Sequence, residues 1–112
     1  MPPKMNPLKL NSLQLKTLTL LQELTHDPQH ATPAPDGSIR LTNLPQPHGD
    51  HFHVGRAVAM AADATGLANE SVWLALERKG LARSVYPIAI VLTPEGLGYD
   101  TGLKHILHGA DH

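Results

Sequence analysis

The scarcity of aromatic side chains limits the kind of core that this chain can build. Its 112 residues include one Trp, one Phe and two Tyr, so aromatic residues make up only 4% of the sequence. Apolar residues nevertheless reach 41%, a proportion typical of globular chains. The core must therefore consist mainly of Leu, Ile, Val and Ala. This length fits one domain, assigned to residues 8–112, and the proline-rich residues 1–7 are predicted to be a flexible arm.

Charge and cysteine content exclude several classes of function. Nine basic and ten acidic side chains give a formal net charge of −1, so the chain as a whole lacks a basic field for nucleic acid. It has no cysteine, which excludes disulfides, thiolate metal sites and a cysteine nucleophile. Its apolar runs are too short to span a bilayer, and the N-terminus lacks a signal-peptide pattern. We therefore expect a cytoplasmic protein that does not contact membranes.

The first helix is predicted over residues 15–24, where leucines recur every three residues and polar side chains occupy other positions. Asn11 is a suitable N-cap, and Gln14 three residues later completes a capping-box pattern. Pro28 ends the segment, because the residue before a proline disfavours helical geometry.

The rest of the chain is predicted to alternate between helices and short strands. Residues 38–44 alternate between polar and apolar side chains as a half-buried strand does, and residues 51–54 fit either a strand or the entry to a helix. Further helices are predicted at residues 56–65 and 72–80 and from residue 93 onward, with a strand or hairpin at 85–92. The predicted fold class is α+β but mostly α, in the order helix, strand, helix, turn, helix, hairpin, helix.

Residues 62–72, Ala-Asp-Ala-Thr-Gly-Leu-Ala-Asn-Glu-Ser-Val, resemble a helix-turn-helix. Residues 76–81 are similar to the end of the recognition helix in winged-helix regulators, and residues 92–96 to the start of their post-wing helix. Regulators of the multiple-antibiotic-resistance type carry these segments in this order. The resemblance covers residues 8–106 and implies a winged-helix-like domain. Its recognition helix is about one turn shorter than usual and its wing is short.

The resemblance also implies a transcriptional regulator that binds double-stranded DNA. The residues that it places at the DNA are Arg56, Asn69, Glu70, Ser71, Trp73, Arg78, Lys79 and Arg83. Asn and Ser side chains can hydrogen-bond to base edges, and Arg and Lys can contact phosphates. The same residues also fit structural roles, with Asn69 and Ser71 as helix caps, Trp73 in the core, and Arg78 and Lys79 at a solvated helix end.

The last predicted helix suggests a homodimer. Its apolar stripe, Leu97, Leu103, Ile106 and Leu107, lies on a segment weakened by glycines and needs a surface to pack against. An alternative hypothesis is an interaction module of the same fold that does not bind DNA. Such a module would dock a protein partner through its histidine-rich loop and short wing.

Eight histidines make this residue type unusually frequent. His48, Asp50, His51 and His53 lie within six residues, and on a strand His51 and His53 would share one face. Imidazole and carboxylate ligands without thiolate suit Zn²⁺ or Ni²⁺, so a metal-binding or metal-responsive protein is a further alternative. Exposed loop histidines that bind nothing fit the same pattern. Because the chain lacks the nucleophile, phosphate-loop and metalloprotease motifs, we predict that it is not an enzyme.

Overall fold

The computed structural model describes residues 6–45, 50–54 and 57–109. In these ranges the helices are α1 (Ser12–Leu24), α2 (Glu70–Arg78) and α3 (Pro94–Gly98). The strands are β1 (Ala31–Pro33), β2 (Ile39–Thr42), β3 (His51–Val54), β4 (Ala57–Met60), β5 (Ala82–Val85), β6 (Ala89–Leu92) and β7 (His108–Gly109). Short 3₁₀ helices lie at Ala61–Asp63, Thr65–Ala68 and Lys104–Ile106. None of the helices described here has the length and apolar character needed to cross a membrane.

The first helix, α1, forms because its sequence supplies both a cap and a buried stripe. The Asn11 side chain accepts a hydrogen bond from the Gln14 N–H at 2.8 Å, and the Gln14 side chain accepts one from the Asn11 N–H at 3.0 Å. This reciprocal pair is a capping box and confirms the predicted start of the helix. Leu18, Leu21 and Leu24 are fully buried, so α1 lies at the centre of the aliphatic core.

The larger sheet has the strand order β1-β2-β6-β5, and all of its neighbouring strands are antiparallel. Leu41 of β2 pairs with Ile90 of β6, and both side chains are fully buried in the core. Arg40 and Arg83 both pair with Val91, one from each side. Because side chains alternate along a strand, these two arginines and Val91 lie on the outer face of the sheet.

The smaller sheet has the order β3-β4-β7 and is also antiparallel. Residues 51–54, which fitted either a strand or a helix entry, form β3. Val54 of β3 and Ala59 of β4 are fully buried and join the same core cluster as α1. The two sheets therefore share one hydrophobic core.

The fold class is α+β, but the expectation that it is mostly α was wrong. Residues 57–60 of the predicted helix over residues 56–65 form β4 instead. The rest of that predicted helix contains only 3₁₀ turns, at Ala61–Asp63 and from Thr65 onward. Ala57 and Ala59 are buried while Met60 is 46% exposed, which is the alternation of a strand. Pairing with β3 on one side and β7 on the other outweighs the modest helix preference of alanine. The first helix of the predicted helix-turn-helix is absent from residues 57–65, and the winged-helix order is not confirmed.

The apolar stripe that suggested a dimer does not lie on one helix. The helix α3 ends at Gly98 after five residues, and Lys104–Ile106 is a separate 3₁₀ helix. Ile106 is 7% exposed and belongs to the core, and Leu97 and Leu107 pack against the core from its edge. The chain itself covers most of this stripe, which removes the observation on which the dimer prediction rested.

The end of the predicted flexible arm is anchored to the domain. Residues 1–5 lie outside the described residues, but Asn6 is held by several hydrogen bonds. Its side-chain oxygen accepts from the Leu10 N–H at 3.1 Å and from the Tyr99 hydroxyl, and its Nδ2 donates to the Leu10 carbonyl at 2.9 Å. The Tyr99 hydroxyl also accepts from the Leu8 N–H at 3.2 Å. Residues 6–10 are thus fastened to the chain that follows α3.

We expect the variant Gly96→Ala to be strongly destabilised. A Cβ at residue 96 would lie 2.0 Å from the backbone oxygen of Leu81, which cannot move away as a flexible side chain could. The free energy of unfolding, measured by urea denaturation, should fall by about 1–3 kcal/mol. The matched control is Gly98→Ala in the same helix, where a Cβ meets nothing within 4 Å. Equal denaturation midpoints for the two variants would contradict the close approach of α3 to Leu81.

Candidate functional site

A cavity of about 590 Å³ opens between three segments of the chain. These segments are residues 43–45 after β2, residues 61–68 with their two 3₁₀ helices, and residues 86–88, which join β5 to β6. The lining is mostly Ala, Leu, Ile and Pro, and it contains no charged side chain among the described residues. Cavities of this size and composition are typical of small-molecule sites, for which the usual range is roughly 300–1,000 Å³.

The cavity is apolar at its floor and partly polar at its mouth. Ala64 and Leu67 form the floor and are 1% and 5% exposed. Asn43 and Thr65 are exposed side chains of the lining. Ile88, also in the lining, is 68% exposed, the highest value among the large apolar side chains that the structure describes. A molecule in the cavity would cover Ile88.

Trp73 and Tyr86 fix the wall of the cavity. The Trp73 indole N–H donates to the Gly66 carbonyl at 3.2 Å, and its ring meets the Tyr86 ring edge-to-face with centroids 4.7 Å apart. The Tyr86 hydroxyl donates to the Ala68 carbonyl at 3.0 Å. These contacts join α2, the second 3₁₀ helix and the β5–β6 turn, so two of the three lining segments are held to each other and to the core.

Gly66 sets the position of the floor against α1. A Cβ at this residue would lie 1.8 Å from the Thr17 hydroxyl oxygen, and Thr17 is itself fully buried in α1. Only glycine allows the 3₁₀ helix to lie this close to α1. Leu67, the next residue, is thereby held at the base of the cavity.

Asn43 turns the chain from β2 into the wall of the cavity. Its φ of 55° lies in the left-handed region, which Asn adopts more readily than most other residues. Among the described residues, neither the Asn43 amide nor the Thr65 hydroxyl hydrogen-bonds to another protein group. Both side chains are therefore available to a ligand.

The helix α2 contains residues that the resemblance placed at DNA but that have structural roles. Trp73 is 1% exposed, so it is a core residue and does not present its side chain at the surface, where the resemblance placed it. Asn69 is the N-cap of α2, and its side-chain oxygen accepts from the Ser71 N–H at 3.1 Å and from the Ser71 hydroxyl at 2.6 Å. Trp73 and Asn69 therefore have the structural roles that the sequence offered as the alternative, whereas Ser71 is a first-turn residue that donates to the cap and is not itself the cap.

The remaining predicted DNA contacts are exposed or lie outside the described residues. Glu70, Arg78 and Lys79 are exposed at the two ends of α2, and Arg56 is not among the described residues. Arg83 is exposed on the outer face of the larger sheet. Of the basic residues that the resemblance placed at DNA, the structure describes three: Arg78 and Lys79 at the end of α2 and Arg83 on β5.

Arg83 belongs to a small polar cluster at the β1–β2 turn. Its guanidinium lies 3.5 Å from a carboxylate oxygen of Asp36 and 3.4 Å from the Ser38 hydroxyl. The Ser38 hydroxyl and the Ser38 N–H both donate to Asp36, and these two hydrogen bonds are the main reason why the pKa of Asp36 lies below its usual value. Arg83 lowers this pKa further by a smaller amount.

The histidine cluster is only partly described. His51 and His53 share a face of β3, with ring centroids 5.1 Å apart and nearly perpendicular planes. The Nδ1 atom of His51 lies 3.5 Å from a carboxylate oxygen of Asp50, whose side chain is 89% exposed. His48 lies outside the described residues. The described part of the chain brings together no group of three His, Cys, Asp or Glu side chains that could hold a metal ion. The Zn²⁺ or Ni²⁺ site therefore stays a prediction.

Comparisons of the chain with protein-family models, with curated proteins and with solved structures find no match. The resemblance to regulators of the multiple-antibiotic-resistance type therefore rests on the sequence motifs alone. Cytoplasmic location and the absence of enzymatic activity also stay predictions.

The cavity was not predicted from the sequence, because its lining comes from three segments that become neighbours only in the folded chain. One local signal was present. Ile88 follows Pro87 in a turn between two strands, where a large apolar side chain has no neighbour in its own segment to cover it.

We expect Ser38→Ala to raise the pKa of Asp36 toward its usual value of 3.8. In the folded wild type this pKa is lowered, so the Asp36 hydrogen bonds stabilise the fold above pH 3.8 and are lost as the pH falls below that value. Titration of the Asp36 carboxyl carbon by NMR measures the change. Arg83→Gln should raise the same pKa by less, since Arg83 contributes less than Ser38. An unchanged Asp36 pKa in Ser38→Ala would rule out this cause.

Proposed function

We propose that this domain binds a small, uncharged and largely apolar molecule in the cavity between residues 43–45, 61–68 and 86–88. The observation that carries the proposal is the cavity itself, with a volume of about 590 Å³ and no charged side chain in its described lining. A charged group buried there would lose its hydration without gaining a partner of opposite charge. An apolar molecule would instead exchange water for contacts with Ala, Leu, Ile and Pro side chains.

The rigidity of the wall also supports ligand binding. Tyr86 is held by its hydrogen bond to Ala68 and by the edge of Trp73, and Trp73 is held by Gly66. Because this wall exists before a ligand arrives, less conformational entropy is lost on binding. The strongly exposed Ile88 beside the wall gives the ligand additional apolar surface to cover.

Fluorescence titration with N-phenyl-1-naphthylamine tests the proposal. This uncharged fluorophore should bind more tightly than 1-anilinonaphthalene-8-sulfonate, which has the same aromatic skeleton with a sulfonate added. Binding should also change the emission of Trp73, the single tryptophan, because its ring contacts Tyr86 in the cavity wall. Ala68→Phe places a large side chain in the lining and should weaken the uncharged probe by about tenfold or more, which corresponds to about 1.4 kcal/mol.

The matched control is Ala62→Phe. Ala62 is exposed in the neighbouring 3₁₀ helix but does not line the cavity, so this variant should bind the probe as the wild type does. The proposal fails if the wild type does not bind the uncharged probe, or if Ala62→Phe and Ala68→Phe weaken it equally.

Binding of double-stranded DNA is a second candidate function, and the exposed side chains of Arg78 and Lys79 at the end of α2 favour it. Neither forms an ion pair with any residue that the structure describes. The same helix also carries Glu70 and Glu77, which weaken its attraction for phosphates. This mixed charge is the reason why the cavity, and not α2, carries our first proposal.

If the protein binds DNA, the double variant Arg78→Ala with Lys79→Ala should bind duplex fragments more weakly and still fold. The slope of log affinity against log salt concentration should become shallower by about two units, since two phosphate contacts are lost. Gel retardation of mixed duplex fragments at several salt concentrations measures both effects. A wild type that retards no fragment even in salt on the order of 50 mM excludes this candidate.

A further inference from the structure

We infer that the ligand enters the cavity with its apolar end first and keeps an uncharged polar group at the mouth, where Asn43 and Thr65 hydrogen-bond to it. This inference rests on the proposed function and names the class of ligand, an amphipathic molecule with a neutral amide, carbonyl or hydroxyl group at one end.

The orientation follows from the distribution of polarity along the cavity. The floor is formed by Ala64 and Leu67, which are buried and have apolar side chains. A polar group at the floor would lose its hydrogen bonds to water without gaining a side-chain partner there, which disfavours that orientation. The exposed positions of Asn43 and Thr65 place the hydrogen-bonding side chains at the open end.

The recognition of a neutral polar group follows from which hydrogen-bonding groups are unused. Tyr86 already donates its hydroxyl proton to the Ala68 carbonyl. The Asn43 amide and the Thr65 hydroxyl have no protein partner among the described residues, and each can both donate and accept. A ligand amide, carbonyl or hydroxyl matches these groups, and no charged side chain of the described lining selects for an ion.

Two probes of similar size separate the contributions of the two ends. In 1-naphthamide and 1-ethylnaphthalene the same apolar ring system carries either an amide or an ethyl group. Their affinities can be measured by displacement of N-phenyl-1-naphthylamine from the wild type and from Thr65→Val and Asn43→Gly. Valine keeps the shape of threonine without its hydroxyl, and glycine tolerates the positive φ of residue 43.

The expected result is a selective loss for the amide. Each variant should lower the affinity for 1-naphthamide by about three- to tenfold, which is the usual contribution of one neutral hydrogen bond. The affinity for 1-ethylnaphthalene should stay nearly unchanged. The control Thr32→Val, an exposed threonine of β1 outside the lining, should change neither affinity.

Two other outcomes overturn the inference, and a third also removes its basis. If both probes bind but the variants leave 1-naphthamide unchanged, the polar group is not recognised by Asn43 and Thr65, although the cavity still binds ligands. If the variants lower the affinities for both probes equally, these residues only maintain the shape of the mouth. If neither probe nor the fluorophore binds the wild type, the proposed function itself is wrong.

Discussion

The contact between Trp73 and its two neighbours holds the cavity together. This single indole reaches from α2 to the carbonyl of Gly66 in one direction and to the ring of Tyr86 in the other. In a chain with so few aromatic residues, no second ring of this size is available to brace these segments. The β5–β6 turn and the second 3₁₀ helix both contribute to the lining, and the same side chain contacts both of them.

Two glycines allow the backbone of neighbouring segments to pack closely, one against α1 and one against the residue that precedes β5. Gly66 lets the second 3₁₀ helix lie against Thr17, and Gly96 lets α3 lie against the carbonyl of Leu81 just before β5. In the sequence, Gly66 directly follows the helix predicted over residues 56–65, and Gly96 lies in the last predicted helix, whose glycines were expected to weaken it. Those interpretations considered only neighbours in the sequence. The atoms that require glycine belong to distant segments, so no local pattern could reveal them.

Local signals predicted the elements that depend on local interactions. The leucine spacing and the capping box predicted α1. Asn69 and Ser71 were both offered as caps of the next helix, and Asn69 is the N-cap of α2. Thr93 caps α3 by accepting from the Gly96 N–H at 3.1 Å. β4 was mistaken for a helix because its stability comes from pairing with β3 and β7, and partners of this kind are not visible in an alanine-rich segment. The cavity was missed for the same reason, since its three segments are distant in the sequence and are neighbours only in the folded chain.

The DNA-contact residues show how one pattern supports two roles. Asn69 and Ser71 have side chains that can recognise bases, but at the start of α2 the Asn69 side-chain oxygen accepts from the free Ser71 N–H and from the Ser71 hydroxyl. Trp73 occupies a position of α2 that the resemblance turned outward, whereas the folded chain turns it into the core. Burial decides between the roles, and burial depends on which face of α2 the rest of the chain covers.

The composition that limits the core also explains why a cavity exists beside it. Three of the residues that line the space, Ala61, Ala64 and Ala68, carry only a methyl group, and none of the other lining side chains that the structure describes fills it. Larger side chains at these positions would increase the apolar area buried on folding and so favour stability. An unfilled apolar space forgoes that gain, because its walls lack contacts on one side. A bound apolar molecule would supply the missing contacts, so the loss of packing in the free domain and the affinity for a ligand have the same physical origin.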